Sequence, residues 1–470
     1  MLNDKIFREY DIRGVVGKDL DEEFAFSLGK AFSSFLKSAK PGANKVSVGR
    51  DARLSSESLA ENIMRGITSS GINVSDIGLC ATPLQYFSLY HLNLDGGIMV
   101  TGSHNPPEYN GFKLSIGRET IFGEDIQKIR QIIQKAEWTE STGQGYVEKY
   151  DISAAYQHDM IKRFEYLSGK EYKRLKVVVD AGNGTGGIVA PAILHAMGCE
   201  VIPLYCEPDG LFPNHHPDPT VVENIQDLIK VTKERKADIG VGYDGDADRI
   251  GIVDSSGNII WGDQLMIILS RDILKKKPGA VIIGDVKCSQ LMFDDIERHG
   301  GMPIMWKTGH SLVKDKMRKE AALLAGEFSG HIFIGDDYFG YDDALYTTFR
   351  IIEIMKITGL GIHELLADIP RTVYTPEIRV ECPDDQKRMI VQKLAQRFKQ
   401  YQISGNCPVP IKKIYDIDGA RVVFEKGWGL VRSSNTQPVI VMRFEAEDEH
   451  SLNLYRKFLE EELNNIKVKG

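Results

Sequence analysis

The sequence predicts three related mixed α/β domains followed by a smaller C-terminal α+β domain. Three observations carry that expectation. The 470 residues exceed a single domain at roughly 100–200 residues each. A β-branched apolar run ending near Asp recurs at 46–51, 177–180 and 281–285, and each run leads into a polar or glycine loop, a helical pattern and a further strand-like run. Past residue 370 the order changes to strands and helices that no longer follow this repeat.

After the first run, Ser55-Ser56-Glu57-Ser58 precedes Leu59, Ile63, Met64 and Ile67, which share one helical face ending at Gly71. Serine suits an N-cap there. After the third run, Leu291, Met292, Phe293 and Ile296 keep partly helical spacing until Gly300-Gly301. The last region reads as strands at 379–381 and 420–425 around a helix near 386–401, then a strand at 439–444 and a helix from Ser451. Turn residues or changes of period place joints at 143–151, 254–257 and Ile369-Pro370-Arg371. The expected units are therefore residues 1–150, 151–255, 256–369 and 370–470. Lys275-Lys276-Lys277 reads as a solvated helix end.

Composition narrows the function classes. Lys plus Arg number 58 against 66 Asp plus Glu, a net charge of −8, so a basic surface for coating nucleic acid is not expected. Hydrophobic residues at 42% and charged residues at 26% are globular values rather than disordered or membrane-embedded ones. The longest charge-free stretches, 77–94 and 181–199, are broken by Pro83, Gln85 and Asn93, and by glycines with Asn183 and Pro191, so no membrane partner is expected. Six cysteines without a Cys-x-x-Cys pair read as buried free thiols, and the start of the chain has no apolar leader. The expected location is cytoplasmic.

Four loops could carry chemistry. Thr101-Gly102-Ser103-His104-Asn105-Pro106-Pro107 follows the run 97–100 and can hold the Ser103 hydroxyl away from regular structure, with His104 beside it. An ordinary strand-to-turn connection uses the same residue types, and no Gly-x-Ser-x-Gly elbow supports an esterase. Asp244-Gly245-Asp246-Ala247-Asp248-Arg249 ends the run 238–242, and its alternating carboxylates can converge on one hard divalent cation. An EF-hand is excluded by Arg249 at the sixth position and Ser255 at the twelfth. Few carboxylates on a short loop favour magnesium over calcium; the bland alternative is a solvated acidic turn.

Gly326-Glu327-Phe328-Ser329-Gly330-His331 follows the run 321–325, and Glu327, Ser329 and His331 would face one side of an extended segment, suited to a polyol such as a sugar. Arg432-Ser433-Ser434-Asn435-Thr436 offers a guanidinium, hydroxyls and an amide for a phosphate, or else forms a polar hairpin turn. Lys287 and His310 are further polar candidates after strands. A competing signal, Gly182-Asn183-Gly184-Thr185-Gly186-Gly187, satisfies the dinucleotide pattern Gly-x-Gly-x-x-Gly, but Asp180 places an anion where a pyrophosphate would approach. A nucleotide- or sugar-phosphate-binding protein without turnover is the alternative of a different class.

Seven ordered motifs bring a resemblance into view: Phe7-Arg8-Glu9-Tyr10-Asp11-Ile12-Arg13-Gly14, the Ser103 loop, Asn110-Gly111-Phe112-Lys113, Phe212-Pro213-Asn214-His215-His216-Pro217, the triple-Asp loop, Gly-Glu-Phe-Ser-Gly-His and Arg-Ser-Ser-Asn-Thr. Across nearly the whole chain they resemble the α-D-phosphohexomutases, in their bacterial phosphomannomutase/phosphoglucomutase branch. The resemblance implies four domains around one cleft and a phosphoryl group carried on Ser103. It implies magnesium on Asp244, Asp246, Asp248 and a phosphoserine oxygen, and a hexose 1,6-bisphosphate as intermediate and activator. By the same resemblance Lys113 and Arg249 lie near the transferring phosphate, Tyr10 and Arg13 line the cleft, and Lys287 and His310 help bind a small phosphosugar. Glu327 and Ser329 would read sugar hydroxyls, and Arg432–Thr436 the far phosphate. Proton transfer stays open among Lys113, His104, Arg13 and His331. Phosphoglucosamine mutases are a nearer alternative, but usually carry Cys-Glu-Gln-Ser-Gly-His, from which Gly326 and Phe328 depart; many close relatives have Met in place of Phe328.

Overall fold

A computed structural model describes residues 3–469 of the chain except 140, 142 and 436. The first sheet contains β1 (Ile12–Val15), β2 (Lys45–Arg50), β3 (Asn73–Leu79), β4 (Gly96–Val100), β5 (Tyr109–Ile116), β6 (Glu119–Thr120) and β7 (Val147–Lys149), in the order β1-β5-β4-β2-β3-β7 with β6 on β5. The second has β8 (Lys176–Asp180), β9 (Glu200–Leu204), β10 (Ile239–Tyr243), β11 (Ile250–Asp254) and β12 (Ile259–Ile260), ordered β12-β11-β10-β8-β9. The third has β13 (Val281–Asp285), β14 (Met302–Trp306), β15 (Leu324–Gly326) and β16 (Ile332–Ile334), ordered β14-β13-β15-β16. The fourth is antiparallel and holds β17 (Val373–Tyr374), β18 (Ile378–Glu381), β19 (Lys413–Tyr415), β20 (Ala420–Val423), β21 (Gly427–Ser433) and β22 (Val439–Ala446).

The first three sheets repeat one plan. In each, three parallel strands are joined at one edge by an antiparallel fourth: β3-β2-β4 with β5, β9-β8-β10 with β11, and β14-β13-β15 with β16. Strands β4 and β10 are buried along their whole length, because helices cover both faces of such a sheet, and this explains their unbroken apolar sequence. The three chemistry loops of these units, 101–108, 244–249 and 327–331, all join the third strand of the plan to the fourth. Their common place is outside the carboxyl end of a parallel strand, where open α/β sheets bind ligands.

Several boundaries differ from expectation. The turn at 254–257 links β11 to β12 in one antiparallel hairpin, so the second sheet runs to Ile260. The run 321–325 becomes a strand only at Leu324, since Ala321 adopts a left-handed turn conformation at φ 50°. Ser55 stands at the N-cap of the helix Ser56–Ser69 but does not cap it; its hydroxyl accepts a hydrogen bond from Asn110 Nδ2 at 2.8 Å.

An apolar core runs continuously from the first unit through the second to the third, by way of Met99, Tyr156, Tyr243, Phe349 and Ile282 among others. The C-terminal domain has its own core around Leu394, Phe398, Phe444 and Leu459. It meets the third unit through a small cluster of Val286, Trp428 and Leu430. Two buried arginines reinforce that joint: Arg421 donates to the carbonyls of Val286 and Cys288, and Arg443 to that of Lys287.

Candidate active site

Ser103 stands at the centre of the site and is buried. Its φ of 48° is left-handed, a conformation that side-chain-bearing residues adopt at an energetic cost and that surrounding contacts must hold. The contacts come from Asp51 and Arg53, just past β2. Asp51 Oδ2 accepts from Thr101 Oγ1 at 2.9 Å and from the Gly102 amide at 3.0 Å. Arg53 ion-pairs with Asp51 and donates to the carbonyls of Ser103, Asn105, Pro106 and Tyr109 at 2.5–3.0 Å. Sequence reasoning missed Arg53; only Asp51, the end of an expected strand two residues earlier, drew notice.

So held, the Ser103 hydroxyl donates to Asp244 Oδ2 at 2.8 Å and lies 3.1 Å from His104 Nδ1. Asp244, Asp246 and Asp248 are fully buried, and one oxygen from each lies within 4.8 Å of the others. Lys113, brought in by β5, reaches both Asp246 (2.9 Å) and Asp248. Thr82, at the start of the helix Thr82–His91, donates to Asp246 Oδ2 at 2.6 Å. Burial, then the neighbouring Asp248 and Asp246, push the Asp244 carboxyl well above its ordinary pKa. Burial also opposes ionisation of Asp246, yet Lys113 and Thr82 outweigh it and hold that carboxyl low. Asp246 Oδ1 and Asp248 Oδ1 are buried without a hydrogen-bond partner. A hard divalent cation fits this donor set, since three carboxylates have one lysine for compensation and two oxygens left over.

The glycine run 182–187 supports this loop instead of cradling a pyrophosphate. It leads into a single 3₁₀ turn, Thr185–Ile188, and the Thr185 amide donates to Gly245 O at 3.1 Å. A Cβ on Gly184 would meet Gly245 O at 2.6 Å, and one on Gly187 would meet Cys206 O at 2.1 Å. Close backbone approach accounts for both glycines.

Around this centre lie further charged groups. Arg13, on β1, donates to Asn105 Oδ1 at 2.8 Å and pairs with Asp11. Arg249 Nε donates to His331 Nε2 at 2.9 Å, and His331 Nδ1 faces Asp342 at 3.3 Å, a residue not anticipated from sequence. The enclosing protein, then Arg249 and Arg13, hold the His104 imidazole well below its ordinary pKa, so it is neutral at pH 7. Burial lowers His310 in the same way, with Lys314 adding to it.

The His310 and His331 rings stack with centroids 5.7 Å apart, and Tyr10 meets His310 edge-on at 5.8 Å, which leads from the Ser103 centre to a second group of residues. There Glu327 accepts from the Gly309 amide at 2.7 Å and from Ser329 Oγ at 3.0 Å. The segment is a tight turn closed by Gly330 N to Glu327 O, with Gly330 at φ 85°, rather than the extended segment expected. Phe328 packs between Trp261 and the Arg443 guanidinium. Lys287 ion-pairs with Glu377 of the C-terminal domain at 3.0 Å.

Arg432 and Ser433 belong to the end of β21, where a loop was expected. Arg432 is buried and pairs with Asp418 at 2.9 Å. Ser433, one place further along the strand, points to the opposite face, so it is not brought together with Arg432. Ser434 is buried at the following turn and Asn435 Nδ2 donates to the Tyr10 hydroxyl. Thr436 lies outside the described residues.

Comparison with known proteins agrees with the four-domain architecture. Models of the phosphoglucomutase/phosphomannomutase α/β/α domains I, II and III match residues 4–140, 154–257 and 261–373, and the model of the C-terminal domain matches 377–462. A phosphomannomutase/phosphoglucomutase of Pseudomonas putida is 46% identical over 453 residues, covering 96% of this chain and 94% of that protein. A phosphoglucomutase of Neisseria gonorrhoeae is 43% identical, covering 95% and 94%. The crystal structure of a phosphoglucomutase/phosphomannomutase family protein from Burkholderia thailandensis superimposes with a TM-score of 0.90 at 39% identity, covering 99% of this chain and 98% of that one. Four matched domains in order, together with full-length relatives above 40% identity, establish that the chain belongs to the phosphoglucomutase/phosphomannomutase family.

Proposed function

We propose that the protein interconverts hexose 1-phosphate and hexose 6-phosphate, of glucose and of mannose, with Ser103 as the phosphoryl carrier and a hexose 1,6-bisphosphate as intermediate and activator. One observation carries this reading: the Ser103 hydroxyl lies 2.8 Å from a buried three-carboxylate cluster, while Arg432 and Asn435 stand apart from it on the C-terminal domain. One centre suits transfer and the other suits holding a second phosphate. Magnesium on Asp244, Asp246, Asp248 and an oxygen of phosphorylated Ser103 would neutralise charge on the transferring group.

The chain's own residues supply the rest. Phospho-Ser103 gives its phosphoryl group to the free hydroxyl of the bound sugar phosphate, and Lys113 and Arg249 offset negative charge beside it. The bisphosphate turns end for end. Its other phosphate returns to Ser103, leaving the isomer. Proton transfer falls to a group among His331, His104, Lys113 and Arg13. Glu327 and Ser329 read hydroxyls that glucose and mannose present alike, which accounts for acceptance of both. Phe328 points into the Trp261–Arg443 stack, so its exchange for Met in relatives concerns packing beneath that loop. The six unpaired cysteines suit a reducing cytoplasm.

The test is a coupled assay with glucose, mannose and glucosamine 1-phosphates, with and without magnesium and bisphosphate, alongside Ser103→Ala. Turnover of the glucose and mannose compounds is expected, with Ser103→Ala inactive and phosphate found on the Ser103 peptide by mass spectrometry. Full activity of Ser103→Ala sinks the phosphoserine cycle.

A further inference from the structure

Each of the three repeated apolar runs ends on an aspartate. Strands β2, β8 and β13 are the middle members of their parallel triplets; Asp51 directly follows β2, and Asp180 and Asp285 are the last residues of β8 and β13. All three are buried. In each, Oδ1 accepts from the amide two residues on: Arg53 at 3.0 Å, Gly182 at 2.9 Å and Lys287 at 3.2 Å. With that bond made, the carboxylate also reaches sideways. Asp51 takes the Thr101 hydroxyl and the Gly102 amide, just ahead of Ser103. Asp180 lies 3.0 Å from His215 Nε2. Asp285 reaches two loops at once: Oδ2 accepts from Thr308 Oγ1 at 2.9 Å, and Oδ1 from the Phe328 amide at 3.3 Å.

Thr308 and Phe328 are the chain neighbours of Gly309 and Glu327, which are themselves joined by the 2.7 Å bond from the Gly309 amide to Glu327 Oε1. The circuit therefore closes, from Asp285 to Thr308, along the chain to Gly309, across to Glu327, along the chain to Phe328 and back to Asp285. The same carboxylate orders the backbone of Lys287, and the helix His310–Lys319 starts directly after Gly309. Asp285 is fully buried, and its two oxygens have four protein donors, the Cys288 thiol among them, so it serves the protein and not a ligand. We infer that Asp285 is the positioning residue of the sugar-binding group, doing for Lys287, His310 and Glu327 what Asp51 does for Ser103. Its purpose rests on the mutase reading; that it holds three segments together does not. The groups it aims grip the sugar phosphate before and during transfer alike, whereas the loop held by Asp51 acts on the transferring group. Loss of Asp285 therefore falls on KM, and loss of Asp51 on kcat.

The experiment compares the full-length wild type with Asp285→Ala, Asp285→Asn and Asp51→Ala, in glucose 1-phosphate kinetics and in calorimetric binding of the same compound. In Asp285→Ala, KM and Kd should rise about tenfold, the equivalent of one lost charge-assisted hydrogen bond, with kcat changing far less. Asp51→Ala should show the opposite split. Asp285→Asn should recover most of the lost affinity, because its carbonyl can keep the two amides while its NH₂ donates to the Thr308 hydroxyl. A fall in kcat at unchanged KM in Asp285→Ala, wild-type values of both, or an Asp285→Asn as weak as Asp285→Ala overturns the assignment. Should Asp285→Ala not fold, Thr308→Val removes one donor to the carboxylate at nearly constant volume and should raise KM in the same direction. Hydrogen exchange needs no ligand: the Gly309 amide should exchange faster in Thr308→Val and Asp285→Ala while the Gly102 amide keeps its protection, and unchanged protection at Gly309 overturns the proposal. A wild type that fails to bind or convert glucose 1-phosphate refutes the mutase reading, and exchange at Gly309 still judges Asp285.

Discussion

Replacing Arg53 by lysine should disable the protein at a residue that need not touch substrate. Arg53 serves five acceptors: the carboxylate of Asp51 and the carbonyls of Ser103, Asn105, Pro106 and Tyr109. An ammonium has three N–H groups, so at least two of these acceptors lose their donor. Each buried acceptor left unpaired costs about 1–3 kcal/mol, which puts the loss of stability at about 2–6 kcal/mol before relaxation. The activity loss has a separate origin. Ser103 keeps its left-handed backbone because its own carbonyl and that of Asn105 are clamped. Once the clamp goes, the hydroxyl can leave the Asp244 oxygen, and a misplacement of ~1 Å can cost on the order of 10² in rate. Denaturant unfolding and the coupled mutase assay measure the two effects separately, with kcat expected to fall more than KM rises. Wild-type kcat together with an unchanged unfolding midpoint in Arg53→Lys would refute the reasoning. A stable but slow variant would show that the clamp acts mainly on Ser103.

Removing the cation inside the acidic cluster should make the fold lean on metal: Lys113→Met takes the ammonium from Asp246 and Asp248 and leaves three carboxylates buried together. Magnesium should raise its Tm more than it raises that of the wild type, and a chelator should lower it more; equal responses would show that the cluster does not bind the ion. Asp343 gives a pH signature. Burial raises its carboxyl from 3.8 to about 6, despite hydrogen bonds from Tyr338 and Tyr156. A raised folded-state pKa means that its contribution is full below about pH 4 and is lost as pH rises through about 6, by about 3 kcal/mol in all. Asp343→Asn should flatten that part of the stability profile measured by urea unfolding, and an unchanged slope would contradict the assignment.

The parts of the fold that could be read from sequence are those whose side chains announce themselves. The runs at 46–51, 177–180 and 281–285 became β2, β8 and β13 almost in place, because central strands covered on both faces demand β-branched apolar residues. Strand β21 was hidden by Gly427, Gly429 and Ser433, weak strand formers that owe their conformation to pairing between β20 and β22. The alanines before β15 announced neither a strand nor the turn at Ala321. In the site, Ser103 and the three aspartates are legible as chemistry, whereas Lys113 enters only through the resemblance; the fold links Ser103 to Asp244 and Lys113 to Asp246 and Asp248 by hydrogen bonds. The bond from Thr82 to Asp246 spans 164 residues and leaves no local pattern. Arg53 is silent for another reason: four of its five acceptors are backbone carbonyls, which carry no residue identity at all.

The common position of the Ser103, Asp244–Arg249 and Glu327–His331 loops says something about how such a protein can be assembled. A unit that presents one short hairpin at its carboxyl edge, copied twice and packed on a shared core, offers three identical sockets pointing at one space. Each copy then specialises by changing a handful of loop residues: one to carry a group, one to gather charge, one to recognise a ligand. Division of labour replaces invention, because the scaffold that aims each hairpin already exists. Exchanging the contents of one socket leaves the sheets beneath all three in place, while the loops answer to one another through the Ser103–Asp244 and Arg249–His331 bonds.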